Sequence, residues 1–166
     1  VDVRTSRIVT AYVGVLDTAG AVVSSRSWMA DPGIEIPEGA AAVHGITTER
    51  ARAEGRPASE VVAEVLVELR SVLDRGLPLV VYNAPYDLTL LAHEAVRHGL
   101  EPLVAPAPVI DPLVIDKAVD RYRRGKRTLE AACAHYGVLL DGAHDASIDA
   151  IAAGHVARAI VAQHSA

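Results

Sequence analysis

The pattern of hydrophobic and polar positions divides the chain into a β-rich beginning and a longer part in which helices alternate with short strands. Residues 7–30 contain two β-rich runs around the turn residues Asp17–Gly20, which predict an antiparallel hairpin. Residues 31–57 are punctuated by Gly and Pro, so they allow only short helices. A hairpin followed by β/α alternation predicts an α/β fold, with a mixed β-sheet and helices on both faces.

The alternation begins after residue 57 with an apolar stripe at helical spacing, which predicts a helix capped by Ser59 and ending before Gly76. The all-apolar run "LPLVVY" predicts a buried strand, and the helix after it stops near Gly99. A second strand, "PVID", ends at Asp111, where the next helix begins. The last two predicted helices are "TLEAACAHYG" and a terminal helix from about residue 144.

Composition narrows the class of protein. With 166 residues and 51% apolar content, the chain fits a single domain over residues 1–166. A single Cys excludes a cysteine-based zinc site within the chain and predicts a reducing, cytoplasmic location. No apolar run approaches the roughly 18 residues of a membrane span, so no membrane partner is expected. The net charge of −5 argues against broad adhesion to nucleic acid, but it leaves room for a local basic groove.

Such a groove has one candidate segment. Residues 120–127, "DRYRRGKR", place five cationic side chains in eight positions. A solvated loop and a contact to phosphate groups both explain this run, and the pattern does not choose between them.

Polar residues also follow the predicted strands. Asn83 comes directly after "LPLVVY", and Asp87 falls in the first turn of the next helix. Helix capping by Asn83 and a favourable interaction of Asp87 with the helix dipole explain this pair without a catalytic or metal-binding role. Asp111 followed by Pro112 is the usual arrangement of an N-cap and first-turn pair.

The segment "AHDASIDAIAA" places three titratable groups, His144, Asp145 and Asp149, before an otherwise apolar helix. An acid on an apolar stripe is costly unless a positive group compensates it. On one continuous helix His144 and Asp149 would lie roughly 140° apart, so we expect His144 on the preceding loop. The carboxylate could then hold a hard cation while the imidazole moves a proton. Asp145 is explained by the helix dipole.

These segments resemble a known family. "HDASIDA" is similar to the third motif of the DEDDh 3′-5′ exonucleases, which include the proofreading epsilon subunit of bacterial DNA polymerase III and ribonuclease T, and "NAPYDLTLL" is similar to their second motif. The segments "IPEGAAAVHGITTE" and "KRTLEAACAHYGV" also resemble the epsilon branch. The resemblance spans nearly the whole chain and implies a ribonuclease H-like three-layer fold.

The first acidic motif of that family is absent from the sequence. The chain begins "VDVRTSRIVTA", which is similar to the family's segment just after that motif, and Asp2 matches neither of the motif's two acids. The resemblance therefore implies a further strand upstream, carrying both acids and lying between the hairpin and "LVVY". Without it, the hairpin and "LVVY" would have no shared neighbour.

The resemblance also implies a site and an activity. Asp149 and Asp87 would hold two Mg²⁺ or Mn²⁺ ions together with the upstream acids, and His144 would act as general base. The expected reaction releases nucleoside 5′-monophosphates from a single-stranded or frayed 3′ end of DNA or RNA. A DNA polymerase is a candidate partner for DNA proofreading, with free-standing trimming as the alternative. A second hypothesis is an inactive nucleic-acid or protein binding module that keeps the exonuclease fold.

Substrate contacts are expected at four positions. His44 in "AAVHGIT" resembles a family residue near the terminal nucleotide, although a helix-ending turn at Gly45 with His44 exposed explains it equally well. Asn83 either contacts substrate or fixes the turn that presents Asp87. From the basic run, Arg124 and Arg127 are expected to hold phosphates of the strand.

Overall fold

The computed structural model of the protein describes residues 2–165, which form an alternation of strands and helices close to the predicted one. The strands are β1 (Thr10–Leu16), β2 (Val22–Asp31), β3 (Arg56–Pro57), β4 (Leu79–Val80) and β5 (Val109–Ile110). The helices are α1 (Glu38–His44), α2 (Thr48–Glu54), α3 (Ala58–Asp74), α4 (Ala84–Arg97), α5 (Pro112–Val119), α6 (Leu129–Tyr136) and α7 (Ala146–His164).

The predicted hairpin is confirmed. Strands β1 and β2 pair antiparallel, from Thr10 opposite Met29 to Leu16 opposite Val22. The Asp17 carboxylate accepts hydrogen bonds from the backbone N–H groups of Ala19, at 2.8 Å, and Ala21, at 2.9 Å. An aspartate that bonds the backbone just ahead of it stabilises a turn locally, which is why this turn was readable from sequence.

The strands form two hydrogen-bonded groups. Strand β3 joins β2 in parallel, which gives a mixed sheet in the order β1-β2-β3, and β4 pairs with β5 in parallel. Within residues 2–165 no strand pairing connects β1 to β4.

Helices cover both faces of the hairpin, which confirms the predicted layers. Ala11 and Val13 on one face of β1 pack into the core cluster that contains the buried side chains of α3. Leu16 has the opposite orientation because side chains alternate along a strand, and it contacts α7 at Gly154, where an added Cβ would lie 2.6 Å from the Leu16 Cδ1. Gly154 therefore allows α7 to pack directly on the face opposite α3.

Two local predictions were wrong. Ser59 does not cap α3, because the helix already begins at Ala58 and no side chain caps it. The strand predicted over "LPLVVY" is reduced to Leu79–Val80, because the backbone turns at Tyr82 and Asn83 to enter α4.

None of the helices that the structure describes combines the length and apolar character needed to cross a bilayer.

Candidate active site

The turns that open α4 and α7 lie in the same region of the molecule. Tyr82, directly before the turn at Asn83, packs against the hydrophobic cluster formed by α6 and α7. This cluster includes Ala152, which lies one turn after Asp149 on α7. The packing therefore brings together the two segments that the sequence analysis singled out for their acids.

The turn before α4 is held by Asp111, at the end of β5. One oxygen of its carboxylate, Oδ1, accepts from the backbone N–H of Asn83 at 3.0 Å and of Leu113 at 2.9 Å. The other, Oδ2, accepts from the N–H of Ala84 at 3.0 Å. The predicted capping of α5 by Asp111 is confirmed, and the same carboxylate also caps α4. The second contact joins residues 27 and 28 positions apart, so no local pattern could indicate it.

Asn83 lies at the tip of this turn in the left-handed backbone conformation, with φ 59° and ψ 47°. Asn adopts this conformation more readily than most residues. Its side chain makes no capping hydrogen bond, so the interpretation of Asn83 as a side-chain cap is wrong. The residue is exposed, and the geometry favours its second expected role, fixing the turn that leads to Asp87.

Asp87 lies in the first turn of α4, as predicted. The residue is exposed at the protein surface, although protein atoms lie around one side of its carboxyl group. The resulting loss of hydration raises its pKa to about 6, and the negative charge of Asp111 adds to the effect. A backbone hydrogen bond lowers the pKa of Asp87, but the loss of hydration outweighs it.

His144 and Asp149 are joined across the start of α7. His144 precedes the helix in the left-handed conformation, with φ 75°, which confirms its expected position on the entering loop. Its backbone N–H donates to Asp149 Oδ1 at 3.2 Å. Asp145 is the N-cap, and its carboxylate accepts from the N–H groups of Ser147 and Ile148, consistent with its predicted structural role.

A third acid, Glu130 of α6, approaches this pair. Its Oε1 lies 3.8 Å from His144 Nε2. Burial raises the pKa of Asp149, and the negative charges of Asp145 and Glu130 act in the same direction. Sequence analysis missed Glu130 because it lies on another helix and "TLEAAC" reads as an ordinary helix start.

His44 ends α1 and is followed by Gly45 in the left-handed conformation, with φ 73°. This is the helix-ending turn of the alternative interpretation, but His44 is half-buried rather than exposed. Its Nδ1 accepts from the N–H of Ile46 at 3.2 Å, and burial lowers the imidazole pKa. These contacts fix the ring orientation, and a role near the terminal nucleotide stays a prediction.

The two arginines predicted to bind phosphates differ in their surroundings. Arg124 is exposed. The Arg127 guanidinium is mostly buried and donates to the Asp116 carboxylate at 2.7 Å and to backbone carbonyl groups, including that of Asp120. Its donors are therefore engaged inside the protein, which favours a structural role for Arg127 over the predicted phosphate contact.

Comparison with protein families finds one matching family, described as RNase_T, exonuclease, over residues 20–157. This match covers most of the chain. The chain belongs to the RNase_T exonuclease family. The predicted resemblance to the 3′-5′ exonucleases of the DEDD type is thereby confirmed. Comparison with curated proteins finds no match.

Solved structures confirm the fold expected for this exonuclease family. Exonuclease I superimposes with a TM-score of 0.81 at 18% identity, and the zinc-bound form of E. coli exonuclease I with single-stranded DNA superimposes at 0.79 and 18%. A 3′-exonuclease that recognises the 3′ end of histone mRNA stem-loops gives 0.71 at 15%. These alignments include 96 to 99% of this chain. They span 39%, 38% and 72% of the other three chains, respectively.

The carboxylates of this exonuclease-family chain supply some, but not all, of the oxygen ligands that a hard divalent cation needs. Throughout residues 2–165, no group of three or more His, Cys, Asp or Glu side chains forms a ready metal cage. Mg²⁺, however, is often bound through one or two carboxylates together with substrate phosphates and water. Asp87 and Asp149 supply one carboxylate each at the starts of α4 and α7, and loss of hydration raises the pKa of both.

Proposed function

We propose that this exonuclease-family domain belongs to a metal-dependent 3′-5′ exonuclease that hydrolyses the terminal phosphodiester of a nucleic acid and releases nucleoside 5′-monophosphates. The observation that carries the proposal is that α4 and α7 each begin with a carboxylate in the first turn, Asp87 and Asp149, and that the backbone of His144 donates to the second. Two of the similar structures concern nucleic acids, single-stranded DNA in one and the 3′ end of an RNA stem-loop in the other, which supports a nucleic-acid 3′ end as substrate.

Asp149 and Asp87 would hold Mg²⁺ or Mn²⁺, the cations that suit oxygen-only sites. A pair of such ions, when bound, supplies a nucleophilic hydroxide at neutral pH and stabilises the negative charge of the leaving oxygen. The position of Asp149 in the first turn of α7, where its carboxylate also accepts from the His144 backbone N–H, supports this role. Asp87 is held in place through the turn that Asp111 fixes.

His144 would accept the proton of the attacking water. Imidazole titrates near neutrality, which suits a general base at physiological pH. Glu130 Oε1, 3.8 Å from His144 Nε2, would stabilise the imidazolium that forms. His44, Asn83 and Arg124 stay candidate contacts for the terminal nucleotides and their phosphates.

The proposal is tested with the full-length protein and matched 3′-labelled DNA and RNA oligonucleotides. We expect release of labelled monomer with Mg²⁺ or Mn²⁺, no release in excess chelator, and recovery when metal is restored. Faster removal of a mismatched than a paired 3′ nucleotide would indicate proofreading beside a DNA polymerase, and equal rates would indicate stand-alone trimming. Cleavage that resists chelator would contradict the proposal. Failure to cleave either DNA or RNA would also contradict it and would favour an inactive binding module.

Asp149→Asn tests the metal ligand within the same assay. The variant should lose metal-dependent cleavage but remain folded, because it removes a ligand charge and no core contact. Asp145→Asn is the matched control. It also removes a negative charge at the start of α7, but Asn caps a helix as well as Asp does, so its cleavage rate should stay close to that of the native protein. A loss of fold in Asp149→Asn would mean that Asp149 is structural.

A further inference from the structure

The basic segment 120–127 is fixed from inside the protein by one buried carboxylate. Asp116 of α5 has no exposed side-chain surface. Its carboxylate accepts from Arg127 at 2.7 Å, from the Tyr136 hydroxyl at 2.7 Å, and from Arg123. Burial alone would raise the pKa of Asp116, but these three hydrogen bonds hold it below its usual value.

Arg127 also shapes the segment through its backbone. Its guanidinium donates to the carbonyl groups of Asp116, Asp120 and Arg123. One side chain therefore joins the end of α5 to two points of the loop. Breaking a buried ion pair by removing one partner is strongly destabilising, so this arrangement resists rearrangement of the loop.

The other three cationic side chains of the segment lie at the protein surface. Arg121, Arg124 and Lys126 are exposed, and none of them forms a salt bridge within the part of the chain that the structure describes. Tyr122 between them is 86% exposed, and the Arg121 guanidinium lies 5.8 Å from its ring centroid. The segment is thus divided into two inward arginines and three outward cations around an exposed aromatic ring.

This surface is next to the candidate active site. The Tyr82 hydroxyl donates to the Arg127 carbonyl at 2.8 Å, and Tyr82 precedes the turn at Asn83. On the other side, Glu130 follows the segment and lies near His144. The C-terminal end of the segment therefore adjoins both halves of the candidate site.

We propose that Arg121, Arg124 and Lys126 form a docking surface for the phosphate backbone of a single-stranded nucleic acid, and that Asp116 acts as the positioning residue of that surface. The proposal rests on the proposed nuclease function, because it assumes that the 3′ end of the nucleic-acid strand binds at the candidate active site. Outward cations neutralise phosphates, and an exposed tyrosine provides a stacking face for a base. The aromatic ring favours a nucleic acid over an acidic protein as the partner.

The test measures binding without cleavage. Anisotropy of a fluorescent single-stranded oligonucleotide is titrated with the full-length protein in chelator at several salt concentrations. For single strands the slope of log K against log salt falls by about 0.7 for each phosphate that the protein no longer neutralises. Arg121→Ala, Arg124→Ala and Lys126→Ala should each bind more weakly with a shallower slope, and the slope of the triple variant should fall by roughly three times as much.

Arg75→Ala is the matched control, since Arg75 is exposed at the end of α3. That end leads into β4, whereas the site lies beyond the other end of β4, so the variant should keep the native affinity and slope. An unchanged slope in the triple variant would overturn the docking surface. Tighter binding of poly-glutamate than of the oligonucleotide, abolished in the triple variant, would also overturn it and assign the surface to an acidic protein.

Asp116→Asn tests the positioning role. At a temperature where circular dichroism shows the variant folded, we expect weaker binding and a shallower slope, although no surface cation has been removed. Tyr136→Phe removes one hydrogen bond to Asp116 but leaves both of its arginine partners, so it should keep the native slope. A native slope in folded Asp116→Asn would refute the positioning role. Normal binding without metal-dependent cleavage would contradict the nuclease alone, whereas normal cleavage with unchanged slopes would contradict the docking surface alone.

Discussion

Replacing Asp111 by Ala should destabilise the protein more than the loss of an ordinary helix cap. The Asp111 carboxylate accepts three backbone hydrogen bonds, one from Leu113 in its own helix and two from Asn83 and Ala84 at the start of α4. It therefore joins the ends of two helices whose sequence positions are far apart. Asp145 is the natural comparison, because its carboxylate caps α7 alone.

The magnitude depends on which backbone donors the alanine variant leaves without an acceptor. Removing an N-cap side chain costs about 1 kcal/mol. Ala84 is 4% exposed, so its N–H would be left buried without a partner, at a cost of about 1–3 kcal/mol. Asn83 is exposed, and water replaces the missing acceptor there. The sum is roughly 2–4 kcal/mol, which for a chain of this size lowers the melting temperature by roughly 5–15 °C.

Urea unfolding followed by circular dichroism measures the difference. Asp111→Ala should lose roughly 2–4 kcal/mol, and Asp145→Ala about 1 kcal/mol. Asp111→Asn should fall between the native protein and Asp111→Ala, because Asn still caps α5 but offers no acceptor to Ala84. Equal losses in Asp111→Ala and Asp145→Ala would refute the inference that one carboxylate stabilises both helix starts.

Two further predictions concern the site. His144→Ala in the full-length protein should lower kcat by roughly 10² to 10⁴, the usual contribution of a general base, whereas His164→Ala, at the exposed end of α7, should leave kcat unchanged; equal rates for the native protein and His144→Ala would reject the base. The pKa of the Asp87 carboxyl group is about 6 in the folded protein against an ordinary 3.8, so the folded state binds the carboxyl proton more tightly than the unfolded state does. The contribution of Asp87 to the free energy of unfolding therefore falls as pH rises from about 4 to 6. Asp87→Asn should therefore unfold at higher urea concentration than the native protein at pH 7 but not below pH 4, and a lower stability at pH 7 would contradict the pKa assignment.

The sequence by itself determined the features whose causes are local. The hairpin turn depends on Asp17 bonding the backbone within four residues, and α7 depends on Asp145 doing the same. The ends of α3 and α4 were readable from nearby glycines, Gly76 and Gly99, which both adopt positive φ. The family motifs were equally accessible, because Asp87 and the His144–Asp149 pair each occupy a short, continuous segment.

Only the tertiary structure decided which charged groups are engaged with one another. Arg124 and Arg127 are equivalent in the sequence, yet one is exposed and the other is held by the buried Asp116. Likewise, the contact of Glu130 with His144 joins separate elements. A buried charge needs a partner of opposite charge, and packing decides which residues lie within reach. That partner often comes from another element, whose position is fixed by the core. Local sequence patterns therefore indicate that a partner is needed, but they do not indicate which residue supplies it.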